Sequence, residues 1–184
     1  MNKKIDTKKM ALGALLTALV IILQLFATMF EIPTSMASTA SALSLVPIVI
    51  GAALCGLGVA GWLGLVFAAV VLLSGSASFF MGIHAFGTIA TVLVKGIACG
   101  LVSGLVYKLA QKLNKVFAAF AAAIACPVVN TGIYFIGCAL FFAKEIGMGV
   151  LFFGALPNFF LELGISIVIA PVIVTLIDYK SKIK

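Results

Sequence analysis

The stretch that decides the fold is "ASALSLVPIVIGAALCGLGVAGWLGLVFAAVVLLS", Ala40–Ser74, an apolar run of about 35 residues. As one helix it would be roughly 50 Å long at ~1.5 Å per residue, against a hydrocarbon core of ~30 Å. Its middle, "CGLGVAGWLG" (Cys55–Gly64), is rich in glycine, the residue that makes a tight turn cheap, so the run reads as two short helices.

Parity supports that reading. Four further apolar runs cover roughly 10–30, 80–107, 116–142 and 151–177. Lysines cluster at their margins: Lys3, Lys4, Lys8 and Lys9; Lys108, Lys112 and Lys115; Lys180, Lys182 and Lys184. Such clusters mark cytoplasmic flanks. If the first two clusters share one side, an even number of spans separates them. The runs at 10–30 and 80–107 supply two, so the run at 40–74 supplies two more or none, and its length favours two. The last two runs bring the C-terminal lysines back. The expected fold is an all-α integral membrane protein, a single domain over 1–184, with six transmembrane helices near 9–30, 38–56, 58–75, 80–109, 115–142 and 151–179. Both termini face the cytoplasm and the bilayer is the cell membrane. The outer loops are Glu31–Ser38, Ser74–Phe80 and Ala143–Gly149. The run Met10–Phe30 is too long for a signal-peptide core and reads as a retained span.

Composition agrees. The 184 residues are 64% hydrophobic and 9% charged, with mean hydropathy +1.33, more apolar surface than a soluble domain of this size hides. The net charge of +7 comes from lysine alone, with no arginine, and its placement fits membrane topology rather than a nucleic-acid groove. Cys55, Cys99, Cys126 and Cys138 lack metal-type spacing and read as small packing residues. No GK[ST] phosphate loop, no HExxH and no pair of intramembrane acids is present, which argues against ATP hydrolysis by this chain, against an enzyme, and against a bound metal or cofactor. Nothing resembles the charged rings of a channel.

Polar groups inside the bilayer are costly and each needs a reading. In the fourth predicted helix His84, Thr88, Thr91 and Lys95 are spaced 4, 3 and 4 apart and share one face that runs about 16 Å inward from the outer end. In the fifth, Asn130, Thr131 and Tyr134 follow Pro127, which weakens the helical ladder. In the sixth, Asn158, Glu162 and Ser166 recur every four residues. Two readings stay open: polar glue between helices, including a Lys95–Glu162 pair, or a water-accessible outer pocket whose charges meet a solute. In that pocket the candidate solute-binding residues are His84, Thr88, Thr91, Lys95, Asn130, Tyr134, Asn158 and Glu162. The first helix carries small residues four apart, Gly13 with Thr17 and Ala14 with Ala18, a surface for close helix approach.

Four segments together resemble the substrate-binding S component of energy-coupling factor (ECF) vitamin transporters: "KKMALGALLTALVI" (Lys8–Ile21), "LSLVPIVIGAALCGLGVAGWLGLVFA" (Leu43–Ala68), "GTIATVLVKGIACGLVSGLVYK" (Gly87–Lys108) and "CPVVNTGIYFIGC" (Cys126–Cys138). The resemblance implies capture of a vitamin or related micronutrient in an outer pocket lined by the first loop and helices four to six. It implies docking of Ala14 and Ala18 on a membrane coupling subunit that works with two cytoplasmic ATPases, and toppling in the membrane to release solute. The aromatic-rich first loop and helix-six signature that would name thiamine, riboflavin or biotin are missing. Lys95 suits a carboxylate or phosphate, so acid-bearing solutes such as lipoate or pantothenate come first. The phenylalanines of "SASFFMG" (Ser76–Gly82) offer cover for an apolar part of such a solute. The alternative function is a stand-alone ion- or proton-coupled carrier using Lys95 and Glu162.

Overall fold

The computed structural model describes residues 7–29 and 41–182. The described residues form seven helices and no strand: α1 (Thr7–Met29), α2 (Ser41–Leu54), α3 (Leu57–Leu73), α4 (Ser78–Ala110), α5 (Lys115–Phe141), α6 (Ala143–Ile146) and α7 (Met148–Lys182). The expected outer loop Glu31–Ser38 and the lysines at 3, 4 and 184 lie outside the described residues. By length and composition α1, α4, α5 and the Met148–Tyr179 part of α7 can each cross a membrane. The long run divides at Gly56, whose φ of +93° lies in the left-handed region that glycine enters without strain. The resulting α2 and α3 have 14 and 17 residues, roughly 21 and 26 Å.

The segment Ala143–Gly149, expected as a loop, instead winds one helical turn, α6, with Lys144 and Glu145 exposed. Gly147, at φ +86°, ends that turn and lets α7 begin at once.

Packing depends on small residues, as it must where lipid removes the hydrophobic drive between helices. Along α3 and α4 the two backbones nearly touch: a Cβ on Gly64 would overlap the Gly96 carbonyl oxygen, and one on Gly100 would overlap the Ala60 carbonyl oxygen. Ala118, Ala119, Ala122 and Ala123 of α5 are all buried, and the Ser103 hydroxyl of α4 donates to the Ala122 carbonyl at 3.0 Å. Large side chains, including Leu45, Ile48, Leu63 and Phe67, fill the remaining core. These close seams near one end leave room for the helices to enclose a cavity toward the other.

Candidate functional site

That cavity has a volume of about 880 Å³ and is walled by α1, α3, α4, α5 and α7 with the α3–α4 connection across it. Its size suits a small organic solute. Thr88, Thr91 and Lys95 of α4, Asn130 and Tyr134 of α5, and Asn158 and Glu162 of α7 all line it. The three polar stripes therefore face one space.

Glu162 is the hub of the polar wall. It is 1% exposed, and its carboxylate accepts from three side chains on α5 and α7. Asn158, one turn earlier on α7, donates Nδ2 to Oε1 at 2.7 Å. Asn130 Nδ2 reaches both carboxylate oxygens at 3.2 Å, and Thr131 Oγ1 donates to Oε2 at 3.4 Å. A buried carboxylate needs several such donors to replace its hydration. The four-residue spacing of Asn158 and Glu162 and the adjacency of Asn130 and Thr131 supply them. Pro127, buried one turn before Asn130, has no N–H to give the α5 ladder at this depth.

Lys95 stands at the aromatic side of the cavity. Its Nζ lies 5.9 Å from the ring centroid of Phe67 and 5.9 Å from that of Tyr134, within cation–π reach. Tyr134 meets Phe80 edge-on at 6.0 Å, and Phe80 meets Phe142 at 5.0 Å. Phe79 and Phe80, expected as an apolar cover, are part of the lining.

His84 has another role. It is exposed, is not among the lining residues, and interrupts α4 with non-helical angles, φ −148° and ψ 87°. Its Nδ1 accepts the Gly87 N–H at 2.9 Å, and its carbonyl accepts the Thr88 hydroxyl at 3.0 Å. It thus caps the long inner piece of α4, and its ring packs on Phe141 at 5.3 Å.

Sequence reasoning missed Gln24. This α1 residue is 1% exposed and lines the cavity together with Thr28. A lone amide inside the apolar run Met10–Phe30 was the available signal. On the same helix the small pairs separate. Gly13 packs on Val59 of α3, and Thr17 accepts from Trp62 Nε1 at 3.2 Å, so that pair meets α3. Ala14 and Ala18 are exposed, flanked by the exposed Leu15 and Ile22.

A second cavity, about 740 Å³, opens at the opposite end of the bundle among Lys8, Lys9, Lys108, Tyr107 and Tyr179. It gathers helix-end lysines. The converging buried polar groups belong to the first.

The family model described as "ECF transporter, substrate-specific component" matches residues 8–174. No curated protein and no solved structure matches the chain.

Proposed function

The chain belongs to the family of substrate-specific components of ECF transporters, and on that premise we propose that it captures an acid-bearing, vitamin-like solute in the Lys95–Glu162 cavity. The solute is handed to a membrane coupling subunit with two ATPases. The observation that carries this reading is the convergence of one cation, one buried carboxylate and an aromatic wall on a single cavity of about 880 Å³. Lys95 meets the acid group of the solute, with Thr88, Thr91, Asn130, Tyr134, Asn158 and Glu162 completing the wall, while His84 holds α4 in place at the rim. Six spans with cytoplasmic termini put this cavity at the outer face. Lys8, Lys9 and Lys108 support that orientation, since they gather around the second cavity at the other end.

The test is thermal stability of the purified chain with pantothenate or lipoate. A ligand at 100 times its dissociation constant adds about 2.7 kcal/mol. A small acid copurifying with the chain, identified by mass spectrometry, is the matching direct result. Absence of any shift with either acid would sink the acid reading. Ion-driven uptake by the chain reconstituted alone would replace the module with a stand-alone carrier.

Docking of the coupling subunit falls on the exposed Ala14–Ala18 face of α1. Small residues there let a partner helix approach closely. Ala14→Trp and Ala18→Trp are expected to abolish assembly with the module and leave solute affinity within about twofold, because neither residue lines the cavity. Pull-down and titration on the same variants check both halves. Normal assembly of both variants would move the docking face elsewhere.

A further inference from the structure

The lysine-lined recess at the end of the bundle opposite the solute cavity takes no part in capture. We infer that it binds the phosphate headgroup of an anionic phospholipid, with an acyl chain of that lipid along its apolar wall. The recess holds about 740 Å³. Around it stand the first turns of α1, the last turns of α4 and α7, and the turn at Gly56 where α2 meets α3. Those two helices have only 14 and 17 residues, whereas α4 and α7 run to 33 and 35.

Three cations share this space, Lys8 and Lys9 from α1 and Lys108 from α4. All three residues are exposed, so a ligand can reach them. No aspartate or glutamate is among the lining residues, and Asp178 stands beside the lining Tyr179 on α7. The recess therefore stays positive even with Asp178 counted.

Positive charge alone would suit any anion, and two features narrow the choice. Leu12, Leu57 and Leu176 line the same space, and Leu176 is 37% exposed. A free phosphate would leave these side chains wet, whereas an acyl chain covers them. The lysine stems can lie along such a wall while their ammonium groups stay at the polar surface. Tyr107 and Tyr179, two of the three tyrosines in the chain, also line the recess. Tyrosine settles where the apolar core of a bilayer gives way to headgroups. A basic pocket between transmembrane helices at that depth is the form that anionic-lipid sites take. Lipid also surrounds a membrane-spanning chain whether or not a protein partner is docked.

The test uses the purified, delipidated full chain without solute, so its outcome is independent of the capture reading. Native mass spectrometry reads how much phosphatidylglycerol and phosphatidylcholine the chain holds from an equimolar mixture. One lysine at a headgroup contributes about fivefold in affinity. The parent is expected to prefer phosphatidylglycerol at least about twentyfold, and Lys8→Gln with Lys108→Gln to cut that preference at least about tenfold. Lys112→Gln with Lys115→Gln removes the same charge from exposed residues that do not line the recess, and is expected to leave the preference within about twofold.

Equal losses in the two paired variants would mean diffuse attraction between lysines and anionic lipid, and overturn the inference. A parent without any preference overturns it as well. Glycerol 3-phosphate displacing the lipid at matching concentration would make the recess a free-phosphate site and overturn the acyl-chain contact. An unchanged lipid preference in Lys8→Gln with Lys108→Gln, joined to lost assembly with the coupling module, would give the recess to an acidic protein partner instead. If the paired variant fails to fold, Lys8→Gln alone is expected to lower the preference about fivefold, and no change there overturns the site.

Discussion

Gly100→Val is expected to cut the yield of folded protein in the membrane by more than tenfold. The added Cβ alone would overlap the Ala60 carbonyl oxygen and sit 2.8 Å from its carbon, with Gly61 Cα at 3.4 Å. These are backbone atoms of α3 and cannot swing aside as a side chain end can. Relief requires α3 and α4 to move apart, and that separation also opens the reciprocal contact of Gly64 with the Gly96 carbonyl. Overpacking typically costs about 1–3 kcal/mol and sometimes more. Here the cost falls on the seam that holds the cavity wall, since Phe67 lies on α3 and Lys95 on α4. Native domains hold only about 5–15 kcal/mol in reserve. Gly58→Ala is the control: a Cβ there meets nothing within 4 Å, and alanine improves helix propensity by about 1 kcal/mol. Size-exclusion profiles of the two variants decide the matter. A Gly100→Val protein that elutes and melts like the parent would mean that the seam tolerates separation.

The same seam marks how far the sequence can be read. Glycine at 56 and the excess length of 40–74 are local facts, so the division of that run is legible in its own residues. The spacing of His84, Thr88, Thr91 and Lys95 predicts a shared helical face, and Thr88, Thr91 and Lys95 do share a wall. Spacing carries no information about backbone breaks, however. His84 sits at non-helical angles, spends Nδ1 on the Gly87 N–H and packs its ring on Phe141. Gln24 was equally hidden, because one polar residue has no period and its meaning depends on which side of α1 faces the bundle. The division between Gly13–Thr17 and Ala14–Ala18 has the same cause. Both pairs obey one spacing rule, and only the position of Val59 and Trp62 on α3 tells them apart. The hub at Glu162 is intermediate: its partners were visible as separate stripes, whereas the direction in which each amide points follows from three helices meeting.

Lys95→Met is expected to lower affinity for the captured acid at least 100-fold while the folded chain stays as stable as the parent or gains stability. Two effects act on binding. The variant loses the charge-assisted contact to the solute carboxylate, a class of bond contributing about 1.5–3 kcal/mol. It also leaves Glu162 as the acid facing a second acid in a cavity with low dielectric, where like charges repel more strongly than in water. Together these reach the ~2.8 kcal/mol that corresponds to 100-fold. Stability moves differently. Methionine keeps the length and apolar stem of lysine, and a neutral side chain needs no hydration inside the bilayer. Glu162 already accepts from Asn130, Thr131 and Asn158, so its carboxylate keeps four close donor contacts when Lys95 is replaced. If Lys95 served instead as glue for Glu162, its loss would leave a buried charge uncompensated and melting would fall, with solute affinity unaffected. Lys95→Arg adds a finer readout: the planar guanidinium is bulkier and retains the charge, so affinity should recover in part while the melting temperature gains nothing. Titration and melting on the same preparations therefore separate a solute contact from a structural ion pair, because the two roles move the two measurements in opposite ways.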